Sequence, residues 1–348
     1  MRLGMHLATG KSLASAAERG GQIGCRALQI FSGNPRGWSK PPLDPRAVAA
    51  FKAAVQAAGI DPVVVHATYL INLAAPDENI YALSVTAFLD ELKRSGELGA
   101  RFYVVHCGSH KGTGEIPARE RVRAALAKAC ALPAAPVVLL ENTAGTSNSM
   151  GTSLHDLKAL ADGFPADRVG FCFDTCHALV AGFEIRTPEG AKDVLDEFDQ
   201  VLGLARLRCL HLNDSKGDLH SRLDRHEHIG HGTLGTQGIQ AFLGDLRLHN
   251  LPAILETPQD EEDDDLRDLR RAAEVAFAAG AIGKDHLDAV PAKATDGKEP
   301  KSVEKKTAPV AVEVPAKPVI VKPPALRKLN LDGSSKGRKG RGRSSKQG

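Results

Sequence analysis

Aromatic residues make up only 4% of the 348-residue chain, with one tryptophan, Trp38, and three tyrosines. So sparse a supply argues against the stacking platforms on which single-strand binders lay successive bases. The six cysteines, at 25, 107, 130, 172, 176 and 209, contain no CxxC pair, which points to a reducing, cytosolic setting. No apolar run approaches the roughly eighteen residues that a membrane-spanning helix requires, and no charged-then-apolar leader precedes a cleavage site. A cytoplasmic protein with no membrane partner is therefore expected. Neither GxGxxG nor GxxxxGK[ST] follows an apolar run, which argues against a doubly wound sheet and in favour of a barrel.

Charge of one sign is scarce only locally. The net charge of +3 conceals a basic end: residues 284–348 carry sixteen Lys/Arg against seven Asp/Glu, a net of +9, and leave residues 1–283 at −6. Stretches such as KPVIVKPPALRKLN and SSKGRKGRGRSSKQG repeat Pro, Gly, Ser and Lys without a sustained apolar period, so a disordered basic tail over 284–348 is expected. It reads either as a solubilising extension or as an arm that neutralises nucleic-acid phosphates.

What is abundant is alternation. Apolar runs recur as RLGMHL, ALQIF, VVVHA, FYVVHC, VVLLEN, GFCFDTCH, LRCLHLND and AILETP. Between them lie segments with helical spacing, such as DPRAVAAFKAAVQAAG and DLRDLRRAAEVAFAAG. Eight strand–helix units within about 280 residues predict a TIM (β/α)8 barrel over 1–283. The acidic run EEDDD at 261–265 precedes the last long helix, where carboxylates complement the helix dipole.

Six of these strands end on a potential ligand: His66, His106, Glu141, Asp174, His211 and Glu256. In a barrel the C-terminal strand ends converge on one face, so residues this far apart meet in a single mouth. His177 follows Asp174 by three residues, and Asp224 and His226 lie in the loop after the seventh strand, making five imidazoles and four carboxylates. One His or Glu at a strand end is ordinarily a hydrogen-bonded cap; six in the same position are a pattern. Clustered carboxylates need cationic compensation. A nitrogen-rich, thiolate-free set suits Zn2+ best, with Mn2+ or Fe2+ as alternatives. Nine groups exceed what one or two tetrahedral ions use, whereas three ions sharing a bridging carboxylate use them all.

HATYLINLA, VVHCGSH, ENTAG, FDTCHA, HLNDSKGDLHSRLDRHEHIGHG and ILETP, in this order and spacing, resemble the endonuclease IV family of apurinic/apyrimidinic endonucleases over roughly residues 1–280. The resemblance implies a trinuclear zinc enzyme of the bacterial cytoplasm, nucleoid-associated and monomeric, with Mn2+ an alternative at one position. It would cut double-stranded DNA 5′ to abasic sites, leaving a 3′-hydroxyl and a 5′-deoxyribose phosphate, and trim blocked 3′ ends. By motif, His66 and His106 hold the first ion and Glu141 bridges it to the second. Asp174, His211 and Glu256 complete the second site, and His177, Asp224 and His226 form the third. Glu141 positions the nucleophile, and Glu256 serves as ligand or as ligand and base together. Arg36 in FSGNPRGW and Tyr69 with Leu70 in HATYLINLA are implied to enter the duplex. His220, His228 and His231 match no ligand position and read as supporting or phosphate-contacting groups. Cys107 follows His106 but by strand alternation points away from the metal side.

Metal-dependent sugar isomerases and epimerases of the same barrel are the alternative reading. Their oxygen-rich sites fit five histidines poorly. A barrel that binds DNA without cutting it is a third.

Overall fold

The structure, a computed structural model, describes residues 1–10 and 12–293. The tail expected from residue 284 thus lies outside the described residues from 294 onward. Eight parallel strands close into a barrel: Arg2–His6, Ala27–Ile30, Val63–His66, Phe102–His106, Val137–Glu141, Val169–Asp174, Leu207–His211 and Pro252–Leu255. Each pairs with its sequence neighbours among these eight, and the first closes on the last through Met5 opposite Leu255. A two-stranded antiparallel ribbon, Asp214–Ser215 with His226–Glu227, stands over the mouth after the seventh strand.

Strand alternation sorts the side chains into two cores. The inward set is the apolar cluster of Ala27, Val64, Phe102, Val104, Leu139, Cys172, Cys209 and Ile254. Residues of the opposite parity pack under the helices; Phe173, for instance, stacks on Phe242 at 5.5 Å and meets Phe198 edge-on at 6.2 Å. Truncating such a residue costs about 3–5 kcal/mol. The same inward parity carries the polar side chains at the C-terminal ends of six strands, His6, His66, His106, Glu141, Asp174 and His211, toward the barrel mouth. Gly4 is required on this face, since a Cβ there would lie 2.0 Å from the Ala27 carbonyl oxygen.

Local signals set the helices. Asp77 caps Glu78–Leu98 by accepting from Asn79 and Ile80, and Thr187 with Pro188 starts Pro188–Leu202. In the acidic run, Asp264 and Asp265 do open helix Asp264–Ala278, but Asp263 caps it without a side-chain bond. Arg19 instead binds Asp263 and Asp265 at 2.7 and 2.6 Å, so the run also anchors the first helix. Ordered chain continues past the boundary expected at residue 283: helix Lys284–Ala289 follows, Val290 is buried, and Arg270 donates to the carbonyls of Leu287 and Val290. Among the described residues, no helix is long and apolar enough to cross a membrane.

Candidate metal centre

All nine residues singled out by strand position and loop spacing gather at the C-terminal mouth. Glu141, fully buried, is the hub, and its two oxygens divide the histidines between them. Oε2 lies 3.2 Å from His66 Nε2 and 3.1 Å from His106 Nε2, whereas Oε1 lies 3.0 Å from His211 Nδ1 and 3.4 Å from His177 Nδ1. His211 Nδ1 also faces Glu256 at 3.2 Å and Asp174 at 3.9 Å. His177 Nε2 meets Asp224 at 3.1 Å, and His226 Nε2 points at Asp174 from 3.7 Å. Neighbouring imidazole centroids, His66–His106, His106–His177 and His177–His226, stand 5.4–5.6 Å apart. Rings at this spacing are close enough to share cations.

Three mutually close groups able to hold an ion overlap here: His66, His106 and Glu141; Glu141, Asp174, His211 and Glu256; and Asp174, His177 and His226. The first two match the sets implied by resemblance. In the third, Asp174 completes the trio, and Asp224 reaches His177 from the rim with its side chain 45% exposed. Thus Asp174, His211 and Glu141 form a dry floor, and Asp224 and the half-exposed His106 form a solvent-facing edge.

The other ring nitrogen of four histidines is held by oxygen. His66 Nδ1 faces the Ala67 carbonyl at 2.7 Å, His177 Nδ1 that of Asn142 at 3.0 Å, and His226 Nδ1 that of Glu256 at 3.0 Å. His211 uses its opposite nitrogen, Nε2, against Gln29 Oε1 at 2.9 Å. Oxygen acceptors of this kind fix the tautomer and leave the facing nitrogen lone pair free for a cation. His226 Nε2 is correspondingly buried without a hydrogen-bond partner. The donor set therefore fits divalent metal.

Electrostatics agree. Burial alone would raise the Glu141 carboxyl, but His106 and His211 outweigh it and hold it well below its usual range. Burial likewise opposes charge on His211, yet Glu256 and Glu141 bring it up to about 10. Asp174 and Asp224 similarly overcome burial to raise His177 well above its ordinary value. Without metal, protons supply the positive charge that the carboxylates demand.

Two participants escaped the sequence reading. His6 ends the first strand by the rule that found the other six, and its Nδ1 lies 3.1 Å from Glu256. Gln29, fully buried on the second strand, donates to Glu256 at 2.6 Å while accepting from His211. Two thiols, Cys172 and Cys209, also sit beside His211. Burial pushes the Cys172 thiol well up, so it stays protonated, and both His211 nitrogens are engaged elsewhere.

The histidine-rich stretch is divided. Asp224 and His226 reach the centre, whereas His228 Nδ1 is taken by Asp268 at 2.8 Å. His220 is packed against Gly182, at positive φ. Cys107 is buried off the metal face, against Gly151. Arg36 and Tyr69 are exposed and Leu70 half-buried on two loops at the mouth. Tyr69 meets Phe31 edge-on at 5.3 Å, and Phe31 in turn leans on His6 at 4.5 Å. A cavity of about 830 Å³ joins Tyr69 and Phe31 to His66, His106, His226 and Glu256.

A family model described as a xylose isomerase-like TIM barrel matches residues 17–278. A relative named probable endonuclease 4, from Methanoculleus marisnigri, is 47% identical over 279 residues, covering 79% of this chain and 99% of that protein. The solved endonuclease IV of Thermus thermophilus aligns with a TM-score of 0.70 at 38% identity, covering 79% of this chain and 99% of that one. A 3-keto-D-glucoside 4-epimerase from E. coli, 16% identical with a TM-score of 0.58 over 80% of this chain and 99% of its own, shares the fold alone. Fold and site together define a xylose isomerase-like TIM barrel with a candidate metal centre at its mouth. Within that class the chain belongs to the endonuclease IV family and is an enzyme of its endonuclease type.

Proposed function

We propose that the chain hydrolyses the phosphodiester bond 5′ to abasic sites in double-stranded DNA with three zinc ions, leaving a 3′-hydroxyl and a 5′-deoxyribose phosphate. Trimming of blocked 3′ ends uses the same site. The observation that carries the reading is Glu141, whose Oε2 faces His66 Nε2 and His106 Nε2 while its Oε1 faces His211 Nδ1, an arrangement suited to bridging two cations. His66, His106 and Glu141 would hold one ion, Glu141, Asp174, His211 and Glu256 a second, and His177, Asp224 and His226 a third, with Mn2+ an alternative at one position. Bound there, the ions supply positive charge for phosphate oxygens and lower the pKa of water from 15.7 to about 7.

The protein's own groups do the positioning. Glu256 is held by Gln29, by His6 and by the Asn213 amide, which accepts its backbone N–H at 2.7 Å. That grip aims the carboxylate at the His211 side of the cluster, where it takes a proton from attacking water. Arg36, Tyr69 and Leu70 enter the gap that a missing base leaves in the stack, where extruding the sugar costs less than the few kcal/mol an intact nucleotide requires. The compartment we assign is the cytoplasm at the nucleoid, and the working unit a monomer.

The test is a duplex oligonucleotide carrying one abasic analogue, with metal analysis of the same preparation. Nicking at the analogue with close to three zinc ions per chain supports the proposal. A reproducible single ion, sugar interconversion or a mobility shift without nicking would each overturn it.

A further inference from the structure

Glu91, on helix Glu78–Leu98, is a fully buried carboxylate that the chemistry leaves unused. Its four contacts come from three distant parts of the chain. Oε1 accepts from Lys40 Nζ at 2.6 Å and Thr68 Oγ1 at 2.9 Å; Oε2 accepts from the Thr68 backbone N–H at 3.2 Å and Tyr103 OH at 2.8 Å. The Lys40 and Glu91 side chains are 2% and 1% exposed. Lys40 belongs to the loop that carries Arg36 and Trp38; Thr68 directly precedes Tyr69 and Leu70. Tyr103 ties the cluster to the barrel wall. One turn on, Arg94 donates to the carbonyls of Ser32 at 2.8 Å and Pro41 at 2.7 Å, bracketing the first loop at both ends. Gly33 leaves room for the Lys40 stem, since a Cβ there would lie 2.7 Å from Lys40 Cδ.

A buried ion pair is weak support for stability, because desolvation of both charges offsets most of their attraction. What it does impose is geometry: a desolvated ammonium and carboxylate tolerate little displacement, and here the same carboxylate oxygen also grips the second loop. We infer that Glu91 is a positioning residue that couples the two mouth loops through Lys40 and Thr68, presenting Arg36 and Tyr69–Leu70 as one preformed wedge for the lesion. This rests on the reading that these loops enter damaged duplex. A preformed wedge meets the gap without ordering cost at binding, so the clamp sets affinity for abasic DNA and leaves the chemical step alone.

The test pairs Lys40→Met with Glu91→Gln. Removing one partner strands a buried charge, whereas the double variant removes both charges and keeps an acceptor for Thr68 and Tyr103. Trp38, the only tryptophan, lies in the Lys40 loop, so acrylamide quenching reports that loop without DNA or turnover. In the double variant the quenching constant should rise about twofold as the loop opens. KM for a duplex with one abasic analogue should rise about tenfold, or about 1.4 kcal/mol. kcat should stay within about twofold, with zinc content and affinity for undamaged duplex as in the wild type. A wild-type value for either quenching or KM overturns the clamp, and so does a fall in kcat accompanied by metal loss. If the wild-type protein itself leaves abasic duplex intact, it is the nuclease reading that fails. Trp38 quenching in Thr68→Val, a change in the other loop, then decides the coupling: raised supports it, unchanged refutes it.

Discussion

Asp214→Asn should release the loop that brings Asp224 and His226 to the metal centre. The wild-type carboxylate is fully buried beneath that loop. Oδ1 accepts from the backbone N–H groups of Ser215, Leu234 and Gly235 at 2.8, 3.1 and 3.2 Å, and Oδ2 from those of Gly230 and Gly232 at 2.9 and 3.0 Å. Gly232 is obligatory in this cradle, as a Cβ would lie 2.4 Å from Asp214 Oδ1. An asparagine has one oxygen and one NH2, so in either orientation at least two of the five N–H groups face a donor. Each unsatisfied buried donor costs about 1–3 kcal/mol, which gives about 2–6 kcal/mol, concentrated between residues 214 and 235. At 1.4 kcal/mol per factor of ten, local opening rises about thirtyfold or more. Hydrogen exchange of peptides spanning 214–235 measures this, with the strand Val137–Glu141 as internal control. If the proposed three zinc ions are held, their number should fall toward two per chain, because Asp224 and His226 ride on the loop. Exchange in 214–235 within about twofold of wild type would refute the reasoning.

Gln29→Leu should weaken metal binding about 10- to 100-fold in chelator competition, since it removes the partner that fixes His211 and steadies Glu256; wild-type retention would show that the strand alone orients them. Glu256→Gln should abolish nicking while abasic-duplex binding persists, and His177→Ala should lose one metal and most activity; near-normal turnover in either would contradict the assigned roles. In metal-free protein, His211 is raised to about 10, so its proton stabilises the fold fully below pH 6.5. That contribution erodes as pH rises through about 10 and should vanish from the melting profile once metal replaces the proton; a metal-free melt flat across that window would refute it. A chain ending at residue 293 should melt as the full protein does, whereas one ending at 283 loses buried Val290 and both carbonyl partners of Arg270, about 2–4 kcal/mol. If residues 294–348, net +9, contact phosphates, losing three contacts lowers the salt slope of duplex binding by roughly 2.7; identical slopes would dismiss a DNA arm.

The barrel was legible because period and position coincide: β-branched runs spaced by helical segments, six of them ending in His, Asp or Glu. Inward parity then puts those residues on the same side as the inner apolar cluster, as Glu141 follows Leu139 and His211 follows Cys209 two positions along the strand. The same rule extends to His6, at the end of RLGMH, whose only obscuring feature is the early position of the strand. Gln29 was harder, because an amide inside ALQI carries no charge to mark it, yet a fully buried polar side chain must find partners. Asp174 and His177 show why a spacing can mislead about purpose. Three residues is both a ligand spacing and a cap spacing, and Asp174 Oδ1 indeed accepts the His177 N–H at 2.7 Å while Oδ2 faces His226 and His211. One carboxylate thus starts a helix and lines the centre, so the cap also fixes where His177 leaves the strand. The Glu91 cluster was illegible for a different reason. Lys40, Thr68, Glu91 and Tyr103 share no periodicity, and only the closed barrel brings strand, helix and two loops to one point. Residues on one strand face are thus readable from the chain, whereas partners chosen by closure are not. The groups that hold the two mouth loops are of the second kind.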